Sequence, residues 1–207
     1  MEFGDVLRHR RMVRNYLPDP VSPEILERIV QAGRRAPSAG FSQGTAFVVV
    51  TQAGLRQAIA DLCDEPEYVS AGFDPWISKA PAHVVVCISE AAYHDRYREP
   101  DKVDDDGNEI EWPVPFWWID AGAALMLVLL AAVDEGLAAG FLGVGADDLR
   151  SLLKIPQAMV PIGIVTIGHP APDRRSRSLK RGWRSDDEII RWETWDGRPS
   201  ASRESPG

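Results

Sequence analysis

The sequence predicts a globular domain in which helices and strands mix in an α/β or α+β pattern, and three observations carry that reading. Apolar residues recur at helical spacing in several segments, and short β-branched runs bounded by polar turn residues stand between them. The length, 207 residues with 44% hydrophobic content, suits one domain, or one subunit of an intertwined dimer, with a packed core.

"EFGDVLRHR" reads as a first helix that breaks at the cationic stretch "RHRRMVRNY", residues 8 to 16. "VSPEILERIVQAGRRA" follows as a helix with Ser22 at the N-cap and Pro23 at the first helical position, its Ile25, Leu26, Ile29 and Val30 sharing one face. "AFVVVT" reads as a buried strand, "AGLRQAIADLC" as a helix, and "AHVVVCIS" as a second buried strand. The run "AGAALMLVLLAAV", Ala121 to Val133, is too short to cross a bilayer and reads as a helix buried on all sides, central to the fold or part of an apolar subunit interface. "ADDLRSLLKI" makes a further helix with Asp147 or Asp148 near its start, and "PIGIVTIGHP" a third strand. No repeat is visible.

Two segments stand outside this core. Residues 93–118, "YHDRYREPDKVDDDGNEIEWPVPFWW", form an acidic, proline-punctuated excursion that ends in Trp112, Phe116, Trp117 and Trp118. Its middle reads as a solvated loop; its aromatic end either packs in the core or an interface, or covers a flat ligand. If the excursion folds over a ligand, Tyr93, Tyr97 and Arg96 or Arg98 join those aromatics. The last segment begins basic, continues as "EIIRWETW", and ends in a low-complexity tail over 196–207 that is expected to be disordered.

A net charge of −8 gives no general attraction to nucleic acid, so the cationic stretch is local and its partner small. Cys63 and Cys87 have no metal-ligand spacing and read as buried thiols, and His9, His83, His94 and His169 stand at no ligand spacing. The N-terminus lacks the apolar segment of a secretory leader, and the expected location is cytoplasmic. Neither a GxSxG elbow, a Walker loop, HExxH nor GxGxxG is present. What remains is arginine. Arg10 and Arg14, at spacing four, can present two guanidinium forks to a phosphate, with Lys180, Arg181 and Arg184 closing the same anion site; the alternative is surface salt bridges to neighbouring acids.

The order of these features resembles the nitroreductase family of flavoproteins. The resemblance rests on "RHRRMVRNY", the "PVSPE" helix start, "APSAGFSQG", the strand after it, "DAGAALMLVLLAAVDEGLAAGFLGV", "LLKIPQAMVPIGIVTIGHP" and "RSDDEIIRWETW", and covers nearly the whole chain outside 93–118 and the tail. It implies an α+β homodimer with a central, mostly antiparallel sheet flanked by helices, a single flavin-binding domain over 1–195 with 93–118 as a lid-like insertion, and flavin sites at the subunit interface. Under it Arg10, Arg11 and Arg14 hold the FMN phosphate with help from Lys180, Arg181 or Arg184. Pro37, Ser38, Ala39, Ser42 and Gln43 line the pyrimidine edge or ribityl chain, and Leu142, Gly143 and Val144 run beside the ring with a backbone N–H toward N5. Phe41, Trp112, Phe116, Trp117 and Trp118 face the substrate.

The implied activity is hydride transfer from NAD(P)H through FMN to an electron-poor acceptor such as a nitroaromatic or quinone, with no catalytic side chain required. Three departures stand out: Met12 where a small polar residue is usual, Phe41 where asparagine is frequent, and Gly44-Thr45 in place of Pro-Trp. They keep the deazaflavin F420 open as an alternative cofactor. A flavin-binding, dehalogenating or flavin-degrading role is the alternative function. No membrane or nucleic-acid partner is expected.

Overall fold

The β-branched runs become strands of one antiparallel sheet. β1 (Thr45–Val50), β2 (Ala82–Ile88), β3 (Ala138–Leu142) and β4 (Val160–Gly168) lie in the spatial order β1-β2-β4-β3 in this computed structural model, which describes residues 1–174 and 176–198. β2, sandwiched between two neighbours, is buried along its whole length. Its alternate side chains separate the core into two halves. Val84 and Val86 pack with Leu26 and Ile29 of α2 (Pro23–Arg34) and with Val128, Leu129 and Ala132 of α6 (Phe116–Asp134). Val85 and Cys87 pack on the other side, against Ile59 and Ala60 of α3 (Ala53–Leu62) and Leu149 of α7 (Ala146–Leu153).

Ser22 caps α2 by accepting a hydrogen bond from the Ile25 N–H, as its position before Pro23 predicts. The first helix, α1 (Phe3–His9), ends at the cationic stretch. α4 (Glu65–Ser70) carries no comparable signal in the sequence; its buried Glu65 accepts the Ile77 N–H at 2.5 Å.

Four expectations need correction. β1 is an edge strand rather than a buried one, because it pairs only with β2 and leaves Val49 exposed. The sheet has a fourth strand, β3, whose "AAGFL" is too poor in β-branched residues to announce itself. It exists because α6 stops at Gly136: this residue takes φ 77°, donates to the Val133 carbonyl, and lets Leu137 donate to Ala132, the backbone reversal that glycine favours. The excursion begins as a helix, α5 (Glu90–Tyr97), capped by Ser89, and Phe116, Trp117 and Trp118 form the first turn of α6.

The apolar run itself is part of a 19-residue helix, long and apolar enough by length and composition to span a bilayer. It is not buried on all sides. Ala121, Ala124, Val128 and Ala132 face the core, whereas Trp118, Ile119 and Met126 are 46%, 56% and 45% exposed. One apolar face is therefore left uncovered among the described residues.

The chain divides into two compact units, the first being Met1–Asp173 and the second beginning at Arg174. In the second, a 3-10 turn (Arg177–Arg181) precedes α8 (Asp186–Ile189), which Ser185 and Glu188 close with a reciprocal capping box. The tail expected to be disordered lies, from residue 199 on, outside the described residues.

Candidate functional site

The cationic stretch is stitched to the edge of the sheet. After Arg10 caps α1, Met12 bridges Ala139 in parallel, Val13 donates its N–H to the Ala139 carbonyl at 3.0 Å, and Leu17 donates to His169 at 2.9 Å. Val13 and Tyr16 turn inward and are buried. The Tyr16 hydroxyl bonds the Val13 carbonyl at 2.9 Å and the Thr166 hydroxyl at 2.8 Å, and burial pushes the phenol's pKa up, so it stays protonated. With these two inward, Arg11 and Arg14 are left outward and Arg10 half-buried. Met12 makes the bridge through its backbone and leaves its side chain exposed.

None of these three guanidinium groups meets a carboxylate among the described residues. Arg8, by contrast, pairs with Asp5, Arg28 with Glu135 and Arg96 with Asp101. The salt-bridge reading of Arg10 and Arg14 thus finds no partner there. Arg14 sits over the Trp76 ring at 5.8 Å, a cation–π contact that leaves its N–H donors available. Arg11 lines a cleft of about 430 Å³ with Arg8, His9, Val13, Val133 and Leu137.

The turn after α2 is built differently. Ser38 is extended, Ala39–Phe41 forms one 3-10 turn, and Gly40, Phe41 and Gln43 all have positive φ (61°, 60° and 51°). For Phe41 and Gln43 that conformation costs about 1–3 kcal/mol each, strain that surrounding contacts must hold. They do. Asp120, in the second turn of α6 and only 7% exposed, accepts the Ala39 N–H at 2.9 Å and the Tyr93 hydroxyl at 2.8 Å, both on Oδ2. Arg96 donates to the Gly40 carbonyl at 2.9 Å, and Tyr97 packs so close that a Cβ on Gly40 would lie 2.6 Å from its ring.

Within the turn Ser38 Oγ accepts the Gln43 N–H at 3.0 Å and Ser42 donates to the Ala39 carbonyl at 2.6 Å. Phe41 is left 74% exposed, and the Gln43 side chain is exposed as well. Pro37 leads into the turn, also exposed.

Of the other predicted residues, Leu142 ends β3 opposite Ile164, and Gly143 and Val144 follow it into α7. No acceptor for the Gly143 or Val144 N–H stands among the described residues. Trp112, Phe116 and Trp117 gather with Tyr93, His94 and Tyr97 into an aromatic cluster, the Tyr97 and Trp112 ring centroids being 4.4 Å apart. Trp117 is buried with its Nε1 unpartnered, while Trp118 faces outward. Glu109 ties the loop to α5: it accepts the Trp112 indole N–H at 2.7 Å and pairs with His94 and with Arg98. Lys180, Arg181 and Arg184 belong to the C-terminal unit, where Arg184 approaches Glu188 at 3.9 Å.

The structure does not bring the arginines and the Pro37–Gln43 turn together. The turn is held at Asp120, near one end of α6, whereas the cleft beside Arg11 is lined by Val133 and Gly136 at the other, where Asp134 pairs with the N-terminal ammonium. From Asp120 to Asp134 is about 21 Å of helix at roughly 1.5 Å per residue. Sequence reasoning does not single out Asp120 as a site residue, although its phase with Ala124 and Val128 marks it as core-facing.

The nitroreductase family model matches residues 7–169. An FMN reductase [NAD(P)H] from Bacillus subtilis (strain 168) is 29% identical over 198 residues, covering 91% of this chain and 72% of that protein. A putative NADH dehydrogenase/NAD(P)H nitroreductase from Methanothermobacter thermautotrophicus is 26% identical over 200 residues, 94% of this chain and 88% of that one. Among solved structures, the nitroreductase family protein from Streptococcus pneumoniae shares the fold with a TM-score of 0.69 at 18% identity, over 92% of this chain and 100% of that one. With matching residues from α1 through β4, the chain belongs to the nitroreductase family.

Proposed function

We propose that this chain binds FMN and passes hydride from NAD(P)H to an electron-poor small molecule, a nitroaromatic or a quinone. The observation that carries the reading is the row Arg10, Arg11 and Arg14, three guanidinium groups without a carboxylate among the described residues of a chain whose net charge is −8. Acids are plentiful, yet these forks are left for an anion, and a phosphate fits their geometry. The name of the B. subtilis relative supports the same cofactor, and the names of the B. subtilis and M. thermautotrophicus relatives support the same donor.

In this reading Arg10, Arg11 and Arg14 hold the cofactor phosphate. Ser38 keeps its hydroxyl proton and Gln43 its carboxamide for the pyrimidine edge or ribityl chain, and the N–H groups of Gly143 and Val144 serve as donors beside the ring. The flavin, when bound, supplies the hydride chemistry. Phe41, Trp112 and Phe116 bound the substrate side, and a cytoplasmic setting follows from the need for NAD(P)H. The separation of the arginines from the turn supports a site shared by two copies, one giving the phosphate grip and the other the turn. The uncovered face of α6, with Trp118, Ile119 and Met126, supports a homodimer.

An absorbance spectrum of the purified protein, with mass spectrometry of whatever heat releases, tests the reading. Released FMN, followed by NADH or NADPH oxidation that depends on added nitroaromatic or quinone, is the expected result. A colourless protein that takes up no FMN overturns it.

A further inference from the structure

We propose that Asp120 is the positioning residue of the flavin-binding turn, fixing from beneath the conformation in which Ser38 and Gln43 meet the cofactor and Phe41 faces the substrate. The inference rests on the flavin reading above and adds to it a residue that touches neither cofactor nor substrate. A turn with two non-glycine residues at positive φ, Phe41 and Gln43, does not persist by local preference. Something must over-determine it. Its own bonds, Ser38 to Gln43 and Ser42 to Ala39, close the loop on itself but do not orient it on the protein.

Two outside contacts do that. Arg96 grips the Gly40 carbonyl from α5, and Asp120 takes the Ala39 N–H from α6. The second is the more rigid. Arg96 also reaches Glu99 and Asp101, which lie on the exposed loop beyond α5. Asp120 is buried on the 19-residue core helix, with the buried Tyr93 hydroxyl on the same oxygen. A buried carboxylate is costly unless its oxygens are used. Here Oδ2 is used twice, once to hold the turn and once to hold α5, so a single atom sets the two elements that carry Phe41 and the aromatic cluster in register.

The geometry makes a selective test. Both bonds end on one oxygen, which a carboxamide oxygen replaces. Asp120→Asn therefore keeps the grip, whereas Asp120→Leu, of similar volume, removes it. Ala39→Pro removes the donor instead and leaves α6 untouched; Ser38, at φ −138° and ψ 140°, is already in the extended backbone that precedes proline without strain.

FMN dissociation constants are measured by fluorescence titration of the full-length protein and each variant, alongside amide hydrogen exchange over residues 40–43 in the absence of FMN. The expected result is Asp120→Asn within about threefold of the wild type, and Asp120→Leu and Ala39→Pro weaker by about tenfold or more. Exchange over residues 40–43 is faster in the weak binders, while β2 stays as protected as in the wild type.

Should Asp120→Leu fail to fold, Ala39→Pro carries the test. Folded weak-grip variants that bind FMN as tightly as the wild type overturn the inference and leave the flavin reading standing. Asp120→Asn as weak as Asp120→Leu also overturns it. A wild type that takes up no FMN overturns both.

Discussion

Gly140 and Val13 approach so closely that a Cβ on Gly140 would lie 2.4 Å from the Val13 carbonyl oxygen. The neighbour is backbone, which cannot swing aside, and the segment it belongs to carries Arg10, Arg11 and Arg14. Gly140→Ala is expected to destabilise the fold by about 1–3 kcal/mol and to loosen this segment from β3. Tyr16→Phe strikes the same seam from the other side, leaving the Val13 carbonyl and the Thr166 hydroxyl each short of a partner, at about 1–3 kcal/mol. Denaturant unfolding of both variants, with FMN titration, checks the pair. Unchanged stability in both would mean the segment is not held by this seam.

Arg10→Ala and Arg14→Ala are each expected to weaken FMN binding by about 1.5–3 kcal/mol for every charge-assisted hydrogen bond removed, with little effect on stability because neither side chain closes an ion pair among the described residues. Fluorescence titration at two ionic strengths is the measurement. Full flavin retention in both variants would remove the phosphate assignment.

The uncovered face of α6 leads to a prediction about assembly. Ile119→Arg sets a charge in the middle of Trp118, Ile119 and Met126 without entering the core, since Ile119 is exposed in the single chain. Sedimentation should show a shift from dimer to monomer. FMN binding should fall with it under the proposed shared site, in which the arginines of one copy and the turn of another part on dissociation. A monomer with intact FMN affinity would place the whole site in one chain.

His94 gives a pH dependence. Its hydrogen bond to Glu109 raises its pKa above the ordinary value, with Glu90 adding to the same direction. Glu109 is lowered, first by the Trp112 indole and then by His94, with Arg98 also nearby. A raised histidine contributes stability that is fully present below its unfolded pKa of about 6.5 and is lost as pH rises through its folded value. The depressed Glu109 contributes above its unfolded value of about 4.3 and loses that contribution as pH falls through its lower folded value. The attachment of the 98–115 loop to α5 should therefore be firmest between about pH 4.5 and 6.5 and weaken on the alkaline side. Tryptophan fluorescence against pH, in the wild type and in Trp112→Phe, reads it. An identical alkaline transition in His94→Gln would assign the change to another group.

Much of the scaffold is legible in the sequence because its signals are local. Ser22 and Pro23 announce the start of α2, the spacing of Leu55, Ile59 and Leu62 gives α3, and the β-branched runs give β2 and β4. β3 is not legible, since "AAGFL" forms a strand only because Gly136 ends α6 and β4 lies alongside. For the site, the arginine row reads as an anion grip from residue type and spacing, whereas "APSAGFSQG" enters only through the family resemblance. Tyr93 and Arg96 fall in the excursion expected to cover a ligand, yet one is buried against Asp120 and the other is spent on Gly40, Glu99 and Asp101.

By itself the sequence determined the family, most of the core helices and strands, and which residues could meet a phosphate, because family order, capping and periodicity are written in neighbouring residues. Only the tertiary structure decided that Asp120 lies under the Ala39 turn, that α6 buries one face and leaves an apolar one uncovered, and that the arginines stand at the other end of that helix from the turn. These depend on pairings between residues tens of positions apart, which local pattern does not encode and which exist only once the sheet has brought its strands together.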